Sequence, residues 1–314
     1  MRYYLAIDIG GTKTAVALYG SDYSEFYHSK ILTNPQDGCR QLAERIYRMA
    51  SHLLEEYPIE AAGIACPGPL DVAEGVVNNT TTLGWNREPI VQIFQERFRL
   101  PFLLINDCNA GCLGENSGLN CRNMVYLSVS TGIGGGIIVD GKLYEGRGNA
   151  AEFGHIRTQG RGLKCGCGRR DCLELYASGT AIEREYYRLT EKLLTGPEIA
   201  DLAMIGDETA VRVYGEAAEH LAQAILDICK TLDPELLIIG GGVSDVEAFR
   251  SSPVFRKLMQ DFGLKIRFSD FKGKQVLLGV VVSLLRQERE SNRIEEVCDD
   301  KRQVDAPDGL CASL

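Results

Sequence analysis

Two stretches of the chain repeat one pattern. "YYLAIDIGGTKTAVALYG" at 3–20 and "MVYLSVSTGIGGGIIVDG" at 124–141 each read strand, glycine-rich turn, strand, with Asp8 facing Ser130 and Gly10 facing Gly132. A repeated hairpin at that separation argues for two similar lobes rather than one continuous sheet. Other strand-forming runs alternate with helical patterns. Leu42, Ile46, Met49 and Leu53 mark an amphipathic helix over 36–57, and helices are expected near 89–98, from Asp107 onward, over 208–232 and from about 245. "AAGIACPGPL", "FLLIND" and "ELLIIGGG" read as strands, and "QVLLG" as a last strand before a short helix ending near 287. The chain is therefore α/β, with mixed sheets.

Bulk properties remove several function classes. The 314 residues are 45% hydrophobic, enough for one large or two medium cores. A formal charge of -9 lacks the basic footprint of a nucleic-acid binder. No run of eighteen apolar residues is present, so no membrane span is expected, and the short N-terminal apolar run, broken by Asp8, does not read as a signal peptide. Of the eleven cysteines, Cys39, Cys66, Cys108, Cys112, Cys121 and Cys229 sit among apolar neighbours and are expected to be buried thiols of a reduced, cytoplasmic protein. Residues 288–314 are polar and aperiodic and read as a mobile tail, with "ESNRIEEV" as a possible extension of the last helix.

Three glycine-rich turns, "DIGGTKT", "STGIGGGI" and "IIGGGVS", separate apolar strands. A tight hairpin explains any one of them. Three in one chain favour a nucleotide cleft, because glycine lets backbone N–H groups approach an anion. Asp8 is placed to hold a hydrated Mg²⁺, with Thr12 and Lys13 donating to phosphate. "LLINDCNA" ends a strand in Asn106 and Asp107, at the edge where α/β sheets bind ligands. Asp107 there is either a general base for a hydroxyl positioned by Asn106 or the cap of the following helix; the sequence allows both.

"HIRTQGRGLKCGCGRRDCLE" is the densest site signal. His155, Cys165, Cys167 and Cys172, spaced His-x9-Cys-x-Cys-x4-Cys, supply the donor set of a closed structural Zn²⁺ site. The spacing is not that of paired knuckles, so a nucleic-acid finger is unsupported. With one ring nitrogen of His155 on the metal, the other is free, and Glu152, His155 and Glu174 would form a polar cluster suited to a polyhydroxylated ligand. His28, His52 and His220 read as surface or core residues.

"DIGGTK", "ACPGP", "NDCNA", "STGIGGGI", "EFGH", "CGCGRRDCLE" and "IIGGGVS" occur in an order that resembles the ROK family of sugar kinases and sugar-responsive repressors, in the hexokinase/actin-like ATPase superfamily. The resemblance covers nearly all of 3–287. It implies two RNase H-like lobes around a cleft: 1–107, completed by the C-terminal helix near 279–287, and 108–278, carrying the zinc loop 155–174. It implies ATP, Mg²⁺ and a structural Zn²⁺, with Asp107 as general base for a sugar hydroxyl attacking the γ-phosphate. Sugar contacts are implied for Gly68, Asn106, Asp107, Glu152, His155 and Glu174. Phosphate contacts are implied for Gly10, Gly11, Thr12, Lys13, Thr131 and Gly132, and adenosine contacts for Gly241 and Gly242.

The chain departs from the family twice. Asp171 stands where a glycine usually precedes the last cysteine, and "NNTTTLGW" lacks the usual sugar-loop asparagine, with Thr81 or Thr82 in its place. The implied activity is glucokinase-like transfer to a 6-hydroxyl. N-acetylmannosamine or N-acetylglucosamine is the alternative acceptor, and dimers or tetramers are the usual assemblies. A repressor would carry a helix-turn-helix domain ahead of the first strand, which is expected at residue 3, so a regulator is the least favoured reading.

Overall fold

The computed structural model describes residues 1–80 and 82–304, with side chains described through residue 293. The first lobe holds β1 (Tyr3–Ile9), β2 (Lys13–Gly20), β3 (Glu25–Leu32), α1 (Cys39–Glu56), β4 (Ile59–Cys66), the small hairpin β5 (Leu70–Asp71) and β6 (Val76–Val77), α2 (Ile90–Phe98) and β7 (Phe102–Asn106). After α3 (Asp107–Asn116), the second lobe holds β8 (Met124–Val129), β9 (Ile133–Val139) and β10 (Lys142–Leu143). It continues through α4 (Glu174–Ala177), α5 (Gly179–Thr190), α6 (Gly196–Met204), α7 (Glu208–Leu232), β11 (Leu236–Gly240), α8 (Glu247–Arg250), α9 (Pro253–Phe262) and β12 (Ile266–Phe268). The chain then enters α10 (Lys274–Val304).

The two five-stranded sheets have equivalent orders, β3-β2-β1-β4-β7 and β10-β9-β8-β11-β12. In each, the hairpin strands are antiparallel and the later strands parallel. Pleating sends alternate residues of each central strand to different cores. Leu5, Ile7 and Ile9 of β1 pack with α1 and α2, while Tyr4 and Ala6 face the middle of the molecule. Val125, Leu127 and Val129 of β8 pack with α5–α9, while Met124 and Tyr126 face that same middle layer. Strands buried on both faces explain why these segments read as continuous apolar runs.

The middle layer is α3 and α10. α3 leaves the first sheet and packs on β8 and β9; α10 leaves the second and packs on β1 and β4. They cross so closely that neither Gly114 nor Gly279 has room for a methyl group, which would strike the backbone of Gln275 or Ala110. Each lobe is thus completed by a helix delivered from the other.

Three expectations need correction. "QVLLG" is the first turn and a half of α10, not a strand. Leu277, Val280, Val281, Leu284 and Leu285 are all buried between the sheets, and a helix covered on both sides loses the one-faced pattern that separates helix from strand. The last strand is β12. The helix expected from 245 is broken into α8 and α9 by Ser252-Pro253, because proline is tolerated at a helix start but not inside one. The repeat is also shifted. Ile9–Thr14 closes a turn over 10–13, but Val129–Ile133 closes one over 130–132, so Asp8 corresponds to Ser128 rather than Ser130. Beyond 287 the helix continues to Val304, as the "ESNRIEEV" alternative has it; residues 305–314 lie outside the described residues.

Candidate active site

β7 stops at Asn106, whose side-chain Oδ1 accepts from the N–H groups of Cys108 (2.9 Å) and Asn109 (3.1 Å). Asn106 is therefore the helix cap, a role that contributes about 1 kcal/mol. Asp107, at the first helical position, accepts from Cys108 N–H through Oδ1 (2.8 Å), leaving Oδ2 without a partner among the described residues. Burial raises its carboxyl above the usual range, against that N–H. A methyl placed on Gly68 would lie 3.7 Å from Asn106 Nδ2, so the Pro-Gly-Pro turn borders this strand end.

Asp8 lies at the same edge. Burial and the charge of Asp107 push its carboxyl up to about 7, with Lys30 pulling it back. The adjoining turn is closed by Gly10 N–H donating to Lys13 C=O (3.1 Å), and the side chains of Thr12 and Lys13 are exposed. Thr33, which the sequence reading passed over, holds this turn from behind. Its hydroxyl donates to Gly10 C=O (2.6 Å), its N–H donates to Thr12 C=O (2.9 Å), and it is wholly buried. No motif marks Thr33, because its partners come from a different strand pair.

Gly11 meets Thr82: a methyl there would sit 2.7 Å from Thr82 Cγ2. Thr80 is buried and turned inward, bonding the N–H of Leu83. Thr81 lies outside the described residues.

In the second lobe, only 130–132 of "STGIGGGI" form the turn. Gly134 and Gly136 are strand glycines covered by Cys108 and Cys112 of α3, which seats the Asp107-bearing helix on β9. Gly132 has a different neighbour. A methyl on it would lie 2.5 Å from Glu174 Oε2, and that same oxygen accepts from Ile133 N–H (2.8 Å). Thr131 C=O is bonded by the hydroxyl of Thr180 (2.8 Å), a contact unseen in the sequence. Gly241, at φ 91°, brings its turn against Val129, and beside it Gly242 faces open space.

Glu152 joins the lobes electrostatically. Burial raises its carboxyl, His155 opposes the rise, and the charges of Glu174 and Asp107 add to it. Those four side chains therefore share one polar locus. The 10–13 turn lies at the Asp8 edge of the first sheet, and in the second lobe the 130–132 turn meets Glu174 while the 241–242 turn packs against Val129.

His155, Cys165, Cys167 and Cys172 place their donor atoms within 4.8 Å of one another, with His155 Nδ1–Cys165 Sγ at 3.7 Å and Cys167 Sγ–Cys172 Sγ at 3.5 Å. Tetrahedral Zn–S bonds of about 2.3 Å require donor separations of about 3.7 Å. The donor set and its spacing fit that ion. Behind the loop stand residues the sequence left aside. Arg161 pairs with the nearly buried Glu185 of α5 (2.6 Å), and His220 lies 3.3 Å from Thr158 Oγ1 and against the Tyr176 ring. Of the six scattered cysteines, Cys39, Cys66, Cys112 and Cys229 are buried, and Cys108 and Cys121 are half-buried. A groove of about 780 Å³ between Gly75, Phe102, Lys142 and Arg286 shares no residue with the locus.

Two equivalent sheets around shared helices, with a carboxylate at a strand end and glycine turns opposite, define a two-lobed actin-ATPase-like phosphotransferase fold. The ROK family profile matches residues 4–267, and the chain belongs to that family. It is 31% identical over 267 residues (77% of this chain, 81% of the other) to a glucokinase of Halalkalibacterium halodurans. It is 35% identical over 246 residues (76% and 82%) to an N-acetylmannosamine kinase of Yersinia pestis. Among solved structures, a ROK family glucokinase from Streptomyces griseus in complex with glucose and AMPPNP superposes with a TM-score of 0.78 at 31% identity, covering 91% of this chain and 99% of that one. The activity is that of an ATP-dependent sugar kinase. Among the described residues, no helix is long and apolar enough to cross a membrane.

Proposed function

We propose that this kinase transfers the γ-phosphate of ATP to the 6-hydroxyl of a hexose, with glucose as the preferred acceptor. The observation that carries the reading is Asp107, half-buried at the first turn of α3 with a free Oδ2, sharing one locus with Glu152, His155 and Glu174. Asn106, Glu152, His155 and Glu174 bind the sugar hydroxyls, with Gly68 leaving room at the Pro-Gly-Pro turn. Asp107 takes the proton of the attacking hydroxyl as its oxygen bonds to phosphorus and the ADP oxygen leaves. Gly10, Gly11, Thr12, Lys13, Thr131 and Gly132 cradle the phosphates through backbone N–H and side-chain donors. Gly241 and Gly242 form the adenosine edge. Thr82, packed on Gly11, links the sugar loop to the phosphate turn.

Two metal ions belong to this reading. Burial and the charge of Asp107 raise the Asp8 carboxyl while Lys30 opposes them, a setting that suits a divalent cation held by Asp8. Mg²⁺ held there would offset phosphate charge. His155, Cys165, Cys167 and Cys172 would hold Zn²⁺, which would supply rigidity: with His155 Nδ1 turned to the thiols, its Nε2 would remain for the ligand, and Glu174 would stay beside it. The free thiols suit a cytoplasmic setting, and assembly into two or four chains is checked by light scattering.

The second reading is an N-acetylhexosamine kinase, favoured by the 35% identity to the Y. pestis enzyme. ADP release with ATP–Mg²⁺ is measured against glucose, N-acetylmannosamine, N-acetylglucosamine, fructose, mannose and allose. Highest kcat/KM on glucose supports the first reading; highest on an N-acetylated sugar transfers the conclusion to the second. Silence across the panel, with sugar binding intact, would favour a sensor.

A further inference from the structure

Asp171 has the left-handed backbone conformation that glycine suits, φ 59°. Asparagine and aspartate are the side chains that tolerate this region best. The Asp171 side chain is buried, and its Oδ1 accepts from Gly162 N–H (2.7 Å), Leu163 N–H (3.1 Å) and the Tyr176 hydroxyl (2.6 Å). Tyr176 in turn accepts from Arg161 N–H (2.8 Å). One carboxylate thus ties the turn at 160–163, which enters the thiol loop, to α4, which opens with Glu174. The backbone closes the same circuit: Asp171 N–H donates to Leu163 C=O (2.9 Å), and Thr158 N–H donates to Asp171 C=O (2.8 Å). Cys172 and Glu174 follow within three residues, so the clamp fixes the approach of a metal ligand and of a sugar-facing carboxylate together.

We propose that Asp171 is a positioning residue: its carboxylate locks the 160–163 turn onto Tyr176, holding the thiol loop for its metal and Glu174 for the sugar. This rests on the zinc and sugar assignments above, but the lock itself is independent of both. Asp171→Gly is the decisive variant, because glycine accepts φ 59° without strain and removes only the carboxylate. Asp171→Asn keeps an acceptor oxygen and the same backbone tolerance. Hydrogen bonds to a charged acceptor are worth enough that their loss shifts a local opening equilibrium by about tenfold or more.

The test reads three quantities on the full chain. Amide exchange at Gly162 and Leu163 is expected to be about tenfold faster in Asp171→Gly than in wild type. Zinc transfer to a chromogenic chelator is expected to speed up about tenfold, and sugar KM to rise several-fold with kcat within about twofold. Asp171→Asn is expected to fall between the two on all three. Wild-type exchange at these amides in Asp171→Gly would overturn the proposal. A fall in kcat at unchanged KM and unchanged metal transfer would equally remove the positioning role. If the wild-type protein binds no zinc, the zinc assignment fails, and the exchange measurement still decides the lock.

Discussion

Between its third and fourth strands the first lobe places a single helix, α1; at the equivalent point, between β10 and β11, the second lobe places Glu152, the thiol loop and α4–α7. The sheets on either side of these connections have the same order. On the proposed reading, the plain lobe supplies the reacting end: Asp8, the 10–13 turn and Asp107. The loaded lobe then supplies the recognition end: Glu152, His155 and Glu174, held on a loop tied to the core by Asp171, Arg161–Glu185 and Tyr176–His220. The difference teaches that a sheet of this topology positions one carboxylate through a strand end and a helix cap alone. Orienting several side chains from a long loop takes extra clamps, because a loop has few backbone partners of its own.

The division can be broken most directly at Asp107. Asp107→Asn is expected to lower kcat by about 10³-fold while calorimetric sugar affinity stays within about threefold. Loss of sugar binding equal to the loss of turnover would make Asp107 a recognition residue and erase the contrast between the lobes. In the opposite direction, Cys167→Ser is expected to lose its zinc by elemental analysis and to raise sugar KM about 10–100-fold, with a smaller fall in kcat. Wild-type sugar affinity in a zinc-free variant would detach the loop from recognition.

The pH profile sharpens the reacting half. On the proposed reading Asp8 and Asp107 both act ionised, and burial with the charge of Asp107 pushes the Asp8 carboxyl up to about 7. On that basis kcat/KM is expected to fall about tenfold from pH 8 to pH 6. A flat profile over that range would show that neither carboxyl titrates there in the free enzyme. The stability effect has the opposite sign. The folded value for Asp8 lies above its ordinary 3.8, so its contribution is full below that value and is lost as pH rises through 7. Asp8→Asn is therefore expected to raise Tm at pH 8 by about 2–4 °C while lowering activity. The smallest effect is expected at Thr33. Thr33→Val keeps the shape, removes the hydroxyl bond to Gly10, and should raise KM for ATP about threefold with sugar KM unchanged. An equal rise in both KM values would place the 10–13 turn in communication with the sugar side.

Much of this arrangement is legible in the amino-acid order. Turn glycines, the thiol–imidazole spacing and the Asn106–Asp107 strand end are local chemistry, and each lies where the sequence puts it. Helices with one apolar face, such as α1 and α7, are legible for the same reason. Only the start of α10, "QVLLG", reads as a strand, because it is buried from two sides. His220 and Glu185 carry no sequence mark as supports: His220 reaches the loop from α7, 62 residues beyond Thr158, and Glu185 reads as one more charged residue of an amphipathic helix.

The sequence by itself therefore determined the α/β class, the paired hairpins and the clustered thiol–imidazole donors, which follow from residue type, period and short spacing, and its motifs carried the resemblance to the kinase family. Only the tertiary structure decided that α3 and α10 exchange lobes and that Asn106 is the cap, leaving Asp107 free. It alone brought Glu152 to Asp107 across the lobes and Asp171 onto Tyr176. Those outcomes depend on how elements dock after they form, and close packing of distant surfaces leaves no periodic trace in the order of residues.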